Sequence, residues 1–296
     1  MTSRSSVFAR YPGSAGDEAV GPDGAVRPPY EPVARALDGL GAVGITAVVG
    51  AVAQERRIRG VAFGTFVDGR LHERPFPLCP VPRVLSAADW SHLSRGVEQR
   101  TRALNAFLAD VYRQGGRRRT DAEQQSEVVR AGVVPEWLVS ASPGFRPAAV
   151  GLAAAGQQRI TVAGLDLLHG PAGWVVLEDN LRVPSGIGYA LTNRDSGRTA
   201  LPRLYREAEA AGLVDPAESV ALLRAALADA APAGCAGVPQ LGLLTDGEHN
   251  SAYWEHAWLS RQLGIPLVEP DELEVRDGVL WLRARGLREE RRIDVL

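Results

Sequence analysis

At 296 residues, with 45% hydrophobic and 23% charged side chains, the chain can hold one large or two moderate domains with a full core. Its 33 basic and 35 acidic residues leave a formal net charge of −2, so nothing global points to nucleic acid or to an anionic membrane. Every basic residue is arginine, which excludes a Walker A phosphate loop because that loop needs its lysine. Cys79 and Cys235 lack metal-ligand spacing and read as idle thiols rather than a disulfide. No apolar run of membrane-span length and no signal-peptide core stand out, so a cytoplasmic protein with neither membrane nor nucleic-acid partners is expected.

Residues 1–32 are rich in Gly, Ser, Pro and acids without periodicity, and predict a disordered or loosely draped arm. From 33 to 57 the apolar spacing predicts one or two helices interrupted near Gly39, Gly41 and Gly44. A strand pair turning at Asp68-Gly69 follows. Prolines hold 75–85 extended. Ser86 is a favourable N-cap for a long helix, with Asp89 as the acidic member of a capping box. Its apolar stripe, Trp90, Leu93, Val97, Thr101, Leu104, Leu108 and Val111, predicts core packing, while Glu98, Arg100, Asn105 and Asp110 lie off it and read as solvated. The basic run Arg117, Arg118 and Arg119 reads as a loop. Residues 133–140 form a helix or an extended segment leading into Ser142-Pro143-Gly144-Phe145-Arg146.

Residues 159–168 and 174–177 are apolar runs joined by a short loop containing Gly170, Pro171 and Gly173, which predicts an antiparallel hairpin. If Leu168 pairs with Trp174, Asp166 lies opposite Val176 and Gly164 opposite Glu178. Asp166, Glu178 and Asn180 then share a face, the two acids as diagonal neighbours, and Arg182 joins them if the strand continues. Two carboxylates and an amide oxygen suit a hard divalent cation such as magnesium, and a neighbouring guanidinium suits phosphoryl chemistry. A surface hairpin with solvated acids is the alternative. Four polar groups on one face of otherwise apolar strands favour the functional reading.

Beyond the hairpin, the Pro184-Ser185-Gly186 turn can aim the N–H groups of Ser185 and Gly186 at an anion. Residues 199–211 and 216–230 read as helices, the first preceded by an Asp195-Ser196-Gly197 breaker, and 231–234 as a linker. Then come a strand over 240–244, a turn at Asp246-Gly247, a helix over 251–263 ended by Gly264 and a strand over 265–268. This order predicts a βαβ crossover with Thr245, Asn250, Ser251, Tyr253, Glu255 and His256 near the carboxyl ends of its strands. A lone His256 on a helix bearing Trp254 and Trp258 is equally readable as a packed core residue. The last segment, 273–285, reads as a hairpin turning at Asp277-Gly278, followed by an apolar strand at 292–296.

The run Glu178, Asn180, Arg182, with Asp166 on the adjoining strand, resembles the metal-binding hairpin of ATP-grasp enzymes such as biotin carboxylase and carbamoyl phosphate synthetase. The string LEDNLRVPSGIGYALTNR, together with VPRVLSAADW, EQRTRALNAFLADVY and NSAYWEHAWLSRQLGIPLVE, resembles the circularly permuted ATP-grasp proteins related to glutathionylspermidine synthetase. The resemblance covers the chain from about Pro29 onward. It implies a ligase that uses ATP and Mg²⁺ to join a carboxylate to an amine or thiol through an acyl phosphate. In it Asp166, Glu178 and Asn180 would hold Mg²⁺, with Arg182 and Arg194 acting on the transferring group. Ser185, Gly186 and Arg146 would meet nucleotide phosphates, and Asn250, Ser251 and His256 the acceptor.

The implied fold is α/β, an α+β lobe plus a βαβ unit, forming a partial circularly permuted ATP-grasp fold. It divides into an arm (1–32), a small cap (33–74), a metal and phosphate lobe (75–200), a helical connector (201–234) and an incomplete Rossmann-like unit (235–296). Members of the family continue past this length, and their phosphate-gripping lysines would lie there. A truncated or split protein is therefore expected, with a second chain as a partner for the missing lobe. Its other partners would be small-molecule or peptide carboxylates and amines. The rival expectation is a non-catalytic remnant that binds a peptide or partner. A nucleotide-independent metal hydrolase ranks last because no histidine joins the carboxylates.

Overall fold

A computed structural model describes residues 6–113, 126–152, 157–283 and 289–296. The basic run at 117–119 lies outside the described residues. The chain forms two compact units, Met1–Ser86 with Leu168–Val175 and Ser185–Leu296, and Ala87–Leu167 with Val176–Pro184.

The first unit begins where the sequence predicts an arm without fixed structure, and there the expectation is corrected for residues 6–32. The Asp17 carboxylate accepts the N–H groups of Ala19 and Val20, the Arg27 guanidinium donates to the Asp17 carbonyl, and Val20 is fully buried. Polar composition concealed this, because the segment is held by one acidic side chain bonding locally to backbone rather than by an apolar face.

Helix α1 (Glu31–Ile58) is broken at Gly41, whose φ of 62° and ψ of 178° no other residue adopts cheaply. Contrary to expectation, the segment Pro28–Ile58 holds an 18-residue window of mean hydropathy 1.8, apolar and long enough by composition to cross a membrane. One stripe of it is used inside this unit, where Val33 and Leu37 pack with Tyr30, Leu201 and Leu204. Strands β1 (Ala62–Val67) and β2 (Arg70–Pro75) pair around Asp68-Gly69. Both turn residues have positive φ, 51° and 72°, the signature of a type I′ hairpin.

Helix α5 (Ile187–Ala200) runs straight through the Asp195-Ser196-Gly197 triplet that the sequence marks as a breaker. Tertiary contacts override propensity there. Ser196 donates to Glu55, and a Cβ on Gly197 would lie 2.3 Å from the Tyr205 hydroxyl oxygen. Replacing Gly197 by Ala should therefore destabilise the fold by about 1–3 kcal/mol despite alanine's better helix propensity. Urea denaturation of the variant checks this; an unchanged or raised midpoint would show that propensity wins.

Helices α6 (Pro202–Ala210) and α7 (Glu218–Asp229) precede the expected crossover. Strand β5 (Leu243–Leu244) pairs in parallel with β6 (Leu267–Val268), and α8 (Tyr253–Leu263) connects them, ending at Gly264 in the left-handed conformation. Leu241, Leu263 and Ile265 form its core against Val220, Leu223 and Leu227 of α7. Strands β7 (Leu273–Arg276), β8 (Val279–Leu282) and β9 (Arg291–Ile293) complete an antiparallel sheet, and Val295 bridges to Leu241.

The second unit is built on α2 (Ala87–Val111), which starts one residue after Ser86 as expected. Leu93 and Val111 of its stripe are buried, but Trp90 is 53% exposed and is no core residue here. Short helices α3 (Glu127–Arg130) and α4 (Glu136–Ser140) follow. Of the polar residues expected to be solvated, Glu98 stays on the surface beside Arg102, and the other three are clamps. Arg100 grips Asp179 through two hydrogen bonds of 2.7 and 2.6 Å, Asn105 accepts the N–H groups of Arg159 and Ile160, and Asp110 accepts those of Glu127 and Val128 at the start of α3.

Candidate active site

The hairpin predicted around Asp166 forms from β3 (Gly164–Gly170) and β4 (Gly173–Asn180). Its loop is shorter than expected: Pro171 and Ala172 make the turn, and Gly173 follows at φ 101°. Across the turn the His169 and Trp174 rings are in contact, 4.7 Å between centroids. At the other end, a Cβ on Gly164 would lie 3.7 Å from the Cβ of Asn180, so these two residues face each other. Between these ends the consecutive residues Leu177 and Glu178 are both exposed, so strict alternation does not run the whole length of β4.

The sequence expectation set Gly164 opposite Glu178, whereas Gly164 lies beside Asn180. The open space at Gly164 is also used differently, since Pro184 folds back to within 2.8 Å of where a Cβ would stand.

Asp166, Glu178 and Asn180 are exposed, and none of their side chains forms a hydrogen bond or ion pair with another described residue. Asp179, between the last two, points to the other face. There the Arg100 guanidinium holds its carboxyl below the usual range. Neighbouring acids thus divide into one spent on structure and two left free. Among the described residues no three of His, Cys, Asp and Glu cluster so as to cage an ion by themselves. Two carboxylates and an amide oxygen nonetheless fit an ion that keeps part of its water shell, as magnesium does.

Arg182 is exposed, but β4 ends at Asn180 and the chain bends at 182–183, so strand alternation no longer sets its direction. The expectation that it points with the acids because the strand continues is corrected on that ground. The Arg146 guanidinium folds back onto its own loop and donates to the Pro143 carbonyl at 2.6 Å. Arg194 belongs to the first unit, where it donates to the Val214 carbonyl at 3.0 Å and lies over the Tyr205 ring.

In the first unit, the turn expected to offer N–H groups to an anion already holds one. Glu255, 1% exposed on α8, accepts the Gly186 N–H at 2.9 Å with each oxygen and the Gly188 N–H at 2.7 Å. A buried carboxylate at the positive end of α5 is well placed. The Gly186 N–H is thereby engaged within the protein, while Ser185 stays exposed. Nothing local in the sequence links Glu255 to a turn 69 residues earlier. Beside this contact Tyr189 stacks between Phe76 and Trp254, and burial, with the Glu255 charge second, pushes its phenol up to about 12.

At the carboxyl ends of β5 and β6, Asn250 and Ser251 serve the backbone. Asn250 donates to Asp246 and accepts the Ala252 N–H, as a turn-forming asparagine does, and the Ser251 carbonyl accepts the Gly64 N–H of β1. His256 is half-buried, and its Nδ1 lies 3.0 Å from the Thr245 hydroxyl. Thr245 carried no assigned role in the sequence, because its position gains meaning only once α8 packs over β5.

The family described as circularly permuted ATP-grasp type 2 matches residues 82–296. A Frankia alni protein named "Putative glutamate--cysteine ligase 2-3" is 44% identical over 293 residues, covering 98% of this chain and 32% of the relative. A Frankia casuarinae protein with a similar name, ending 2-2, is 42% identical over the same shares. An uncharacterized protein of Mycobacterium tuberculosis is 38% identical over 281 residues, 95% of this chain and 47% of its own length. The chain therefore spans about a third to a half of the curated relatives it matches.

Proposed function

Since the chain belongs to the circularly permuted ATP-grasp type 2 family, we propose that its hairpin acids hold Mg²⁺ for the ATP-dependent joining of a carboxylate to an amine. The observation that carries this reading is Asp166, Glu178 and Asn180 together on one hairpin, all exposed and with side chains bonded to nothing else described. Two relatives bearing ligase names support the reaction class, since joining glutamate to cysteine is carboxylate–amine ligation.

In this reading Asp166, Glu178 and Asn180 would hold the ion, which when bound offsets phosphate charge during phosphoryl transfer and formation of an acyl phosphate. Arg182, on the bend just past β4, supplies the mobile positive charge that lysine supplies elsewhere. Arg100 acts at one remove: by gripping Asp179 it holds the β4 backbone that carries Glu178 and Asn180. In the first unit, the end of the βαβ crossover presents His256 to the acceptor, and Glu255 keeps the start of α5 in place behind it.

A second reading is favoured by one feature, the complete lack of lysine. It makes the chain a binding module without catalysis, recognising a peptide or partner. Calorimetric titration of the chain with Mg-ATP separates the two. Saturable heat that disappears on chelation with EDTA supports the ligase. A flat titration counts against nucleotide use by this chain and leaves the binding module.

A further inference from the structure

Thr245 is 3% exposed, and its backbone N–H donates to the Val268 carbonyl, extending the parallel β5–β6 ladder by one residue. Its hydroxyl therefore sits at a rigid position. Two groups reach that hydroxyl: the Gly247 N–H at 3.2 Å and His256 Nδ1 at 3.0 Å. A backbone N–H can only donate, so one lone pair of Thr245 Oγ1 is committed to Gly247.

The remaining contact has two solutions. If Nδ1 carried the proton, Oγ1 would accept twice and its own hydrogen would be left buried without an acceptor, a loss comparable to an unmade hydrogen bond. If Oγ1 donates to Nδ1, every polar atom is satisfied. In a neutral imidazole an accepting Nδ1 leaves the proton on Nε2.

From this accounting we infer that Thr245 is a positioning residue that locks His256 as the Nε2–H tautomer, an uncharged hydrogen-bond donor directed at an acceptor oxygen of the substrate. Among the described residues Nε2 has no protein partner, and it is not sealed from solvent. Burial favours the uncharged ring, lowering its pKa against the opposing pull of Glu255 and Asp246. The charged groups around it also narrow the ligand. Asp246 sits at the end of β5, and a Cβ on Gly247 would lie 3.0 Å from Glu269 Oε1 at the end of β6. Two carboxylates at this edge disfavour an anionic acceptor and favour the carbonyl oxygen of an amide or peptide, whose amino group the acids would tolerate.

The inference rests on the ligase reading only for what Nε2 meets, so the tautomer is measured without turnover. Histidine ¹⁵N NMR of the chain at neutral pH should show His256 protonated at Nε2 in the wild type and in Thr245→Ser, which keeps the hydroxyl. In Thr245→Val the preference should fall toward the mixture of an unconstrained histidine. A wild-type ring protonated at Nδ1, or a tautomer indifferent to Thr245→Val, overturns the lock. The donor role is read separately through ATP-dependent turnover of His256→Gln and His256→Ala. Glutamine retains a side-chain N–H and should keep at least ten times the kcat/KM of the alanine variant, whereas equal loss in both overturns it. If wild-type turnover itself is absent, the ligase reading fails while the NMR result stands on its own.

Discussion

Replacing Glu178 by Gln should weaken binding of Mn²⁺, or of Mg-ATP, by more than 100-fold while leaving the fold intact. The carboxylate is exposed and bonds to no described residue, so its loss leaves no buried group unsatisfied. Its contribution is charge on the hairpin that also carries Asp166. Like charges brought together are a cost to the free protein, offset when a cation lies between them. Residues that merely support a ligand typically cost about 10–100-fold when changed, and a ligand itself should cost more. Asp179→Asn is the matched control. It removes a carboxylate one residue away, but one turned to the other face and gripped by Arg100. Its effect should be a modest fall in melting temperature with metal affinity nearly unchanged. Paramagnetic relaxation of water by Mn²⁺ reports on both variants, and equal affinity in Glu178→Gln and wild type would remove the metal assignment.

The second large effect is on stability. Glu255→Ala should cost about 2–5 kcal/mol, because it strips the acceptor from the buried Gly188 N–H and the part-buried Gly186 N–H and opens a cavity beside Trp258. Glu255→Gln keeps the shape and one accepting oxygen, so it should cost roughly half as much. The order of the two variants is as informative as the size. Burial without the hydrogen bonds would make them equal, while a carboxylate seated at the start of α5 makes alanine clearly worse. Urea unfolding followed by tryptophan fluorescence gives both values. A Glu255→Ala cost below about 0.5 kcal/mol would mean the α5 N-terminus finds its partner elsewhere.

Much of the fold is local and was legible as such. The Asp68-Gly69 and Asp277-Gly278 turns, the break near Gly41 and the stop at Gly264 follow from residues that tolerate positive φ where others do not. The crossover of β5, α8 and β6 follows from lengths and apolar spacing. The hairpin that carries Asp166, Glu178 and Asn180 belongs here too, since two apolar runs around a short Gly-containing loop predict it.

What the chain order could not reveal is which distant groups meet. The fold-back of Pro184 decided what fills the space at Gly164. The end of β4 at Asn180 released Arg182 from that face. Packing of α8 against α5 assigned Glu255 to the Gly186 turn, and packing of α8 over β5 gave Thr245 its histidine. Arg100, Asn105 and Asp110 looked solvated because their partners are 79, 54 and 17 residues away. The sequence alone determined residue types, turns and faces, each set by steric rules acting within a few neighbours. Tertiary structure decided partners and burial, because a polar side chain bonds to whatever chain folding brings within about 3 Å of it.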